Sequence, residues 1–304
     1  MVGTIDTYNV LITGASGLVG QHITQRLSSD KNINVIAQAR SYKLKLDNGS
    51  CIQLGLEEPS AEDVLVGLRP DAIIHCAALI PTAKISANVA AEINRGIDRV
   101  VCGVADRCGA PIVFVSSVSV YENAKLPWEE IAEVHPDNSY AKQKKATEMC
   151  IAALNCHNTS MRISSPYGGK QSAGRNVLYK FIHAAIQGLP LEIYGTGVRQ
   201  QDFIYADDVA AAVSSIIANN LTGKNVGGIY NIASGSAVSM RELAELIIHI
   251  AGCGEIIHRT DINEQEGFPP QINISKAKTI LEWQPHTSLA LGLEQTIASI
   301  RGVR

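Results

Sequence analysis

Tyr140 and Lys144 are the pair of residues in this sequence best suited to acid–base chemistry. Both stand in the run Asn138-Ser-Tyr-Ala-Lys-Gln-Lys-Lys145, which is typical of the start of a helix. A spacing of four places their side chains on one face of that helix. A phenol, with an ordinary pKa of about 10, is a useful base at neutral pH only where a nearby cation stabilises the phenolate. Lys144 can supply that cation, although a solvated helix face gives the same spacing.

Hydroxyl groups follow the aliphatic run at 112–116, which predicts a buried strand. Ser117 and Ser119 come directly after this run. A hydroxyl at the carboxyl end of a strand can face a cleft and hydrogen-bond a carbonyl or alkoxide oxygen. Ser117 is therefore a candidate partner for a reacting oxygen, whereas Val113 and Val115 are expected in the core.

Three glycines follow the first predicted strand, in the run Gly14-Ala-Ser-Gly17-Leu-Val-Gly20, and a helical pattern begins within it. Gly14 would allow a tight turn, Gly17 would let a pyrophosphate approach backbone N–H groups, and Gly20 would let the helix pack on the strand. A purely structural turn is the alternative. The position between a strand and a helix at the start of a βαβ series favours dinucleotide binding.

The end of the second predicted strand bears on which dinucleotide binds. Sites for NAD usually place an acidic residue there on the ribose, whereas sites for NADP place an arginine near the 2′-phosphate. The sequence has Ala39 and then Arg40, followed by Lys43 and Lys45. This order favours NADP(H) over NAD, with a solvated surface charge at Arg40 as the alternative.

The elements that must position these residues follow from the pattern along 304 residues, of which 46% are hydrophobic and only 5% aromatic. Aliphatic runs alternate with helical patterns, which predicts βαβ crossovers and a doubly wound parallel α/β sheet of the Rossmann type. Strands are predicted at 9–13, 34–39, 72–76, 112–116 and 159–164, and helices at 18–28, 90–108 and 140–154. Glycine and polar residues increase after Pro166. We therefore expect a dinucleotide-binding domain at 1–165 and a smaller mixed α/β substrate lobe at 166–304, with the chain partly returning to the first domain around 199–220.

The same composition disfavours several classes of protein. A net charge of −3 gives no reason to expect binding to nucleic acid. The longest apolar runs fall far short of 18 residues, so a membrane span is not expected. The segment Met1–Tyr8 has no Lys or Arg, which argues against a signal peptide. The seven cysteines form no Cys-x-x-Cys pair, so we expect reduced thiols, no metal site and a cytoplasmic location.

Together these residues resemble the extended short-chain dehydrogenase/reductases, the NAD(P)-dependent epimerase/dehydratase family. The resemblance covers nearly the whole chain. The matching segments are, in chain order, Gly14-x-x-Gly17-x-x-Gly20, His75-Cys-Ala-Ala78, Asn94, Ser117-x-x-Val120-Tyr121, Tyr140-x-x-x-Lys144, Leu191–Gly197, Asp202–Val209, Tyr230–Gly235 and Ser275–Pro285. Each segment is a modest match, but their joint order along one chain is specific.

The resemblance implies a role for each of these residues. Tyr140 would be the general acid/base, Lys144 its electrostatic partner and Ser117 a hydrogen-bond partner of the reacting oxygen, while hydride moves between a substrate carbon and the nicotinamide. Cofactor contacts would come from Gly14, Ser16, Gly17, Leu18, Val19, Gly20, Arg40, Ala77, Ala78, Tyr140, Lys144 and Tyr167. Substrate contacts would come from Ser117, Ser119, Tyr140, Arg175 and Arg199. The resemblance also suggests a homodimer through the helices at 90–108 and 140–154.

Two departures from the family pattern narrow the expected reaction and substrate. Dehydratases and decarboxylases of the family carry acidic residues after the strand-end hydroxyl, where this chain has Val118 and Ser119, which cannot take a proton from carbon. Gln201 stands where the family often has an arginine that binds the diphosphate of a nucleotide. Glutamine cannot make that charge-assisted bond. Arg199 or Arg175 could replace the arginine, or the substrate could carry less phosphate.

An epimerase that acts on a nucleotide sugar through a transient ketone is therefore the first hypothesis. An NADPH-dependent ketoreductase of a nucleotide keto sugar or another small ketone is the second, and Arg40 favours it. A non-catalytic cofactor-binding or redox-sensing protein is a third. That third hypothesis predicts a broken catalytic set, whereas Ser117, Tyr140 and Lys144 are all present.

Overall fold

A computed structural model of the chain describes residues 7–40, 44, 46–81, 85–171, 174, 176–259 and 270–302. The strands of this described part are β1 (Tyr8–Thr13), β2 (Ile33–Ala39), β3 (Ser50–Gln53), β4 (Ala72–His75), β5 (Ile112–Ser117), β6 (Thr159–Ile163), β7 (Ser165–Tyr167), β8 (Leu191–Tyr194), β9 (Gln200–Tyr205), β10 (Gly228–Ile232), β11 (Ala237–Ser239) and β12 (Ile256–Arg259). The helices are α1 (Leu18–Ser28), α2 (Ala61–Gly67), α3 (Ala87–Cys108), α4 (Ser139–Ala152), α5 (Val177–Ile186), α6 (Ala206–Leu221), α7 (Met240–Ala251), α8 (Ser275–Ile280) and α9 (Leu289–Arg301). A short 3₁₀ turn spans Val118–Tyr121.

The large sheet has the strand order β3-β2-β1-β4-β5-β6-β10, and all of its pairs are parallel. Its strands read as aliphatic runs because both faces are covered by helices. Val10 and Ile12 of β1 pack in one core with residues of α1 and α6. Leu11, between them, packs in a second core with residues of α2, α3 and α4. The carboxyl ends of β1, β2, β4 and β5 therefore meet at one edge of the sheet.

A smaller lobe lies beyond β6 and has its own core, built from residues of α5, α7, α9 and the strands β8 and β9. Strands β11, β9 and β7 form a mixed sheet, and β12 pairs in parallel with β8. Two later elements return to the large sheet, since α6 contributes to its core and β10 pairs with β6. The predicted fold class, a doubly wound parallel sheet with a smaller mixed α/β lobe, is confirmed. The domain limits at 165 and 166 stay a prediction.

Helix boundaries follow capping side chains more closely than apolar periodicity. Helix α1 has the predicted bounds, whereas α3 begins three residues before the predicted start because Ser86 caps it by accepting from the N–H of Val89. Asn138 caps α4 in the same way through the N–H of Ala141, at 2.8 Å. Strand β3 and helix α2 were not predicted. Both are short, and only Ala61 and Leu65 of α2 are buried. Among the described helices, none combines the length and apolar character that a membrane crossing needs.

Candidate active site

The glycine loop joins β1 to α1 and lies against the end of β4. Gly14 adopts a left-handed backbone conformation with φ of 66°, and a Cβ there would lie 2.6 Å from the backbone N and Cα of Ala77. A Cβ on Gly20 would lie 2.2 Å from the carbonyl oxygen of Gly14. Any larger residue would push the loop away from the sheet edge or from α1. These two glycines are therefore required by close packing as well as by the turn.

The first turn of α1 is arranged to receive an anion. Gly17 stands at the N-cap in an extended conformation and offers no capping side chain, and no acidic residue lies in the first turn. The N–H groups at a helix start, together with the positive end of the helix dipole, favour a negative group there. Leu18 and Val19 point into the core at this start and anchor it. The glycine loop therefore presents backbone donors rather than side chains.

A cavity opens beside the glycine loop, at the carboxyl ends of β1, β2 and β4. Its described walls are formed by Gly14, Ser16, Gly17, Gln38, Ala39, Arg40, Leu56, Glu57, Cys76, Ala77, Ala78, Leu79, Ile93 and Ile97. The buried Gln38 fixes this corner, since its Oε1 accepts from the N–H of Gly14 at 2.9 Å and its Nε2 donates to the carbonyl of Leu54. Burial raises the pKa of the Cys76 thiol to about 12, which keeps it protonated. We call this space the cofactor-side cavity.

The tyrosine–lysine pair lies at the start of α4, next to the end of β5. Lys144 is 4% exposed, and its Nζ donates to the carbonyl of Val115 at 2.9 Å. The same Nζ lies 4.6 Å from the centroid of the Phe114 ring and 5.8 Å from that of the Tyr140 ring. The ammonium group is thus held between a strand end and the candidate acid/base. In a buried position its charge acts on the phenol more strongly than it would in water.

Ser117 ends β5 and begins the 3₁₀ turn. Its Oγ accepts from the N–H of Ser119 at 3.2 Å and lies 2.9 Å from the Oγ of Ser119. The two hydroxyls therefore form one hydrogen-bonded pair at the strand end. Tyr121, at the other end of the turn, is fully buried and donates to Asn231 at 2.8 Å.

A buried polar network lies behind the tyrosine–lysine pair. The Nδ1 of His75 lies 2.8 Å from the hydroxyl of Thr13, and its Nε2 lies 2.9 Å from Oδ1 of Asp98. Oδ2 of Asp98 accepts from Gln143 and, at 2.6 Å, from the hydroxyl of Thr147. Burial alone would raise the pKa of Asp98, but the hydrogen bonds and charge around it hold the pKa below its ordinary value. The network ties β1, β4 and α3 to the helix that carries the pair.

A second cavity of about 410 Å³ opens on the other side of the 3₁₀ turn. Its described walls are Val118, Ser119, Glu122, Trp128, Asn138, Ser164, Ser165, Arg199, Gln200, Gln201, Asp202, Pro270 and Ile272. This volume is within the range of small-molecule sites. The walls come from both lobes, and we call this space the substrate-side cavity.

The carboxylates in the substrate-side cavity are already engaged by donors. Oε2 of Glu122 accepts from the N–H groups of Asp137 and Asn138 and from the Nδ2 of Asn138, at 2.8, 3.0 and 2.9 Å. Those hydrogen bonds hold the pKa of Glu122 below its ordinary value. Asp202 accepts from the N–H and the hydroxyl of Ser234 at 3.0 and 2.8 Å. The lowered pKa makes the Glu122 carboxylate a weak base.

Gln201 donates to the hydroxyl of Ser165 at the floor of the same cavity. The pair is neutral and joins β9 to β7, at the position where the sequence departs from the family pattern. Arg199 is half-buried in the wall two residues away, and its guanidinium also contacts the sulfur of Met240 at 3.5 Å. This cavity therefore presents hydroxyl and amide groups together with one described arginine.

The sequence comparisons agree with this geometry. The model of the NAD dependent epimerase/dehydratase family matches residues 10–233. The chain belongs to this family. A Bacillus subtilis protein named as an uncharacterized UDP-glucose epimerase is 27% identical over 95% of this chain and 96% of its own length. UDP-glucuronic acid decarboxylase 1 of Xenopus tropicalis is 26% identical over 97% of this chain and 73% of its own length.

Solved structures of family members share the fold. The UDP-glucose 4-epimerase of Thermotoga maritima, solved with UDP-glucose, aligns with a TM-score of 0.83 and 24% identity over 97% of this chain and 99% of its own. At this identity the likeness shows the fold alone. The resemblance to the extended short-chain dehydrogenase/reductases is thus confirmed, and with it the expectation of an enzyme of this NAD-dependent family.

The structure brings together most of the residues predicted for the site. Ser16, Ala77, Ala78 and Arg40 line the cofactor-side cavity, and Ser119 and Arg199 line the other. Tyr167 lies in the wall of neither cavity. Its side chain is 1% exposed within the core of the smaller lobe, and its hydroxyl lies 3.5 Å from the carbonyl of Leu289. Arg175, Lys43 and Lys45 lie outside the described residues. The roles assigned to all these residues stay predictions.

Sequence reasoning missed three of the polar groups around the site. Asp98 reads as an ordinary helix residue, Glu122 as a loop residue, and Asn138 as no more than part of a helix start. Of these three residues, only Asn138 could have been predicted from the sequence, since an Asn directly before a helical pattern is typical of an N-cap.

Proposed function

We propose that the chain is a nucleotide-sugar epimerase, which oxidises one secondary alcohol of the sugar to a ketone and reduces it from the other face. The observation that carries this proposal is the position of the tyrosine–lysine–serine set. Ser117 ends β5, and β5 lies between β4, at whose end the cofactor-side cavity opens, and β6, which is followed by Ser164 and Ser165 of the substrate-side cavity. Lys144 donates to the carbonyl of Val115 in this β5 and lies beside the Tyr140 ring. A substrate carbon held there would adjoin both an acid/base and the cofactor.

The residues of the cofactor-side cavity fit a nicotinamide dinucleotide. The uncapped start of α1 suits a pyrophosphate, and the close contacts of Gly14 and Gly20 leave no room for a side chain at either position. Ala77, Ala78 and Leu79 form an apolar wall opposite. When bound, the nicotinamide supplies the acceptor and donor of hydride.

Tyr140 would move the proton of the reacting hydroxyl. It takes that proton as the alcohol is oxidised and returns it as the ketone is reduced. The Lys144 ammonium would stabilise the phenolate that Tyr140 must be before it takes the proton and again after it returns it. The hydroxyl of Ser117 hydrogen-bonds the substrate oxygen and keeps it directed at Tyr140.

The engaged carboxylates of the substrate-side cavity support simple redox chemistry at one carbon. Dehydration and related eliminations need a base that can take a proton from carbon. At the strand end this chain has Val118 and Ser119, and the nearby carboxylates of Glu122 and Asp202 are each held by hydrogen-bond donors. This favours epimerisation over dehydration.

We further propose a preference for NADP(H) over NAD(H). Arg40 lines the cofactor-side cavity directly after β2, and Ala39 occupies the place where an acidic residue would hold the ribose hydroxyls. Titration of the protein with NADPH and NADH tests this preference. Tighter binding of NADH would contradict it.

A ketoreductase of a nucleotide keto sugar or another small ketone is the second candidate. The observation that favours it is again Arg40, because NADPH commonly serves as a consumed reductant. The cofactor content and absorbance of freshly purified protein, followed by incubation with UDP-sugars, separate the two candidates. Retained cofactor and interconversion of two sugar epimers without net change in nicotinamide support the epimerase. Stoichiometric consumption of NADPH supports the reductase.

We also propose a homodimer formed through α3 and α4. Apolar side chains on these helices face solvent in the single chain, with Val89 and Met149 exposed by 52% and 63%. Burial of such side chains favours association. Light scattering on the purified protein should give twice the chain mass, and a monomer at micromolar concentration would contradict the proposal.

A further inference from the structure

Glu122 joins the two segments that carry the candidate catalytic residues. It stands at the C-terminal end of the 3₁₀ turn whose N-cap is Ser117. Its carboxylate meets the chain again at Asp137 and Asn138, directly before α4. Tyr140 follows two residues later. One side chain therefore connects the segment that begins with the serine to the helix that carries the tyrosine.

The contact is a cluster of hydrogen bonds rather than a single one. Three donors converge on Oε2 of Glu122, two of them backbone N–H groups. The neighbouring Asn123 adds to the cluster, since its Nδ2 donates to the carboxylate of Asp137 at 2.9 Å and to the carbonyl of His135 at 3.2 Å. Hydrogen bonds thus hold the end of the 3₁₀ turn against the segment 135–138, which precedes α4.

Asn138 connects the Glu122 carboxylate to the first turn of α4 through hydrogen bonds on both sides. While its N–H and Nδ2 donate to Glu122, its Oδ1 accepts from the N–H of Ala141, and its carbonyl accepts from the N–H of Lys142. The N-cap geometry sets where the first turn of a helix begins. Tyr140 lies in that first turn, so its position depends on how Asn138 is held.

We propose that Glu122 is a positioning residue, which fixes the N-cap of α4 against the 3₁₀ turn and so sets the place of Tyr140 relative to Ser117. This inference rests on the proposed roles of Tyr140 and Ser117. A displacement of a catalytic group by about 1 Å can cost up to a hundredfold in rate. The predicted consequence is on turnover rather than on cofactor binding, because Glu122 lines the substrate-side cavity and lies outside the walls of the cofactor-side cavity.

Glu122→Ala and Glu122→Gln test the proposal together. The amide oxygen of glutamine can take the place of Oε2 and accept the same hydrogen bonds, so Glu122→Gln should keep kcat within about threefold of the unmodified protein. Glu122→Ala removes the acceptor and should lower kcat about tenfold, with the Kd of the cofactor changed less than about twofold.

Glu242→Ala is the matched control. Glu242 likewise accepts from a backbone N–H at a helix start, that of Ser239 at 2.8 Å, but it caps α7 in the smaller lobe. Its removal should leave kcat unchanged. Unchanged kcat in Glu122→Ala would overturn the proposal. An equal loss in Glu122→Gln would also overturn it, since charge rather than placement would then be the cause.

Hydrogen exchange separates this proposal from the proposed function. The amides of Asp137 and Asn138 should exchange faster in Glu122→Ala than in Glu122→Gln or Glu242→Ala, whatever the substrate is. Unchanged exchange there would overturn the holding role. Tyr140→Phe, measured in the same turnover assay, reports on the proposed function: full activity in that variant would remove Tyr140 from the mechanism.

Discussion

The cofactor-side and substrate-side cavities lie on either side of one strand end and are built in opposite ways. The cofactor-side cavity takes most of its walls from the carboxyl ends of β1, β2 and β4, three adjacent strands of one sheet. The substrate-side cavity takes its walls from the 3₁₀ turn, from loops and from β9, which are far apart in the chain and belong to both lobes.

The difference extends to the chemistry of the two sets of walls. Glycines, alanines and backbone donors dominate the first, and side chains that hydrogen-bond one another dominate the second, as in the pairs of Gln201 with Ser165 and Glu122 with Asn138. A backbone site admits few substitutions, whereas a side-chain site can change with its ligand. Cofactor binding and substrate recognition should therefore be separable by mutation.

Tyr140→Phe should have the largest effect, because the proposed proton transfer depends on Tyr140 itself, while the described walls of the two cavities do not include it. We expect turnover to fall about a hundredfold or more, since proton transfer by a positioned side chain typically contributes about 10²–10⁴-fold. Cofactor affinity should stay within a few fold. Steady-state kinetics and a cofactor titration measure both. Tyr194→Phe, at a remote tyrosine near Lys180, is the control.

Gly14→Ala should weaken cofactor binding and leave the substrate-side cavity unchanged. The added Cβ would press on the backbone of Ala77 at 2.6 Å, so we expect cofactor affinity to fall tenfold or more. Gly109→Ala is the control, because Gly109 has nearly the same φ of 65° but open space around its Cβ. Both variants carry the same backbone strain and should lose some thermal stability. Equal cofactor affinity in the two would contradict the packing argument.

Arg40→Ala should alter the choice of cofactor rather than its binding in general. Loss of the cation beside the 2′-phosphate should weaken NADPH binding about tenfold and leave NADH within about twofold. Fluorescence titration with each reduced cofactor measures the ratio. Arg107→Ala, at an exposed arginine paired with Glu62 and Asp63, should change neither affinity. Equal weakening of both cofactors by Arg40→Ala would refute the proposed preference.

Gln201→Leu should give the smallest effect and only on the substrate side. It removes the donor to Ser165 at the cavity floor, so we expect KM for the sugar substrate to rise about threefold. The Kd of the cofactor should not move. Gln187→Leu, at the exposed end of α5, serves as the comparison. A loss of cofactor affinity in Gln201→Leu would show that the two cavities are coupled.

The same contrast explains how much could be read from the sequence. The glycine loop, Arg40 and the Tyr140–Lys144 pair are local patterns, whose geometry is set by one strand, one turn or one helix face. Five of the seven strands of the large sheet were predicted for the same reason, since burial on both faces leaves an aliphatic run. The other two, the mostly exposed β3 and the late-returning β10, were not predicted. The fold class and most of the cofactor side followed from such patterns.

The substrate side depends on contacts between distant residues, which no local pattern contains. Gln201 and Ser165 are 36 positions apart, and the walls at Trp128 and Ile272 meet through a β-bridge. The network of His75, Asp98 and Gln143 likewise forms only when α3 and α4 pack beside β4. Tertiary packing, rather than propensity, places these groups.

Deuterium at the reacting carbon gives the most direct test of the central claim. UDP-glucose labelled at C4 serves as the probe, with the purified protein in ordinary water and the product epimers read by mass spectrometry and NMR. Hydride removed from one face of the carbon and returned to the other keeps the label, so we predict that both epimers retain deuterium at that carbon. Loss of the label to solvent would show proton abstraction from carbon and would contradict the account.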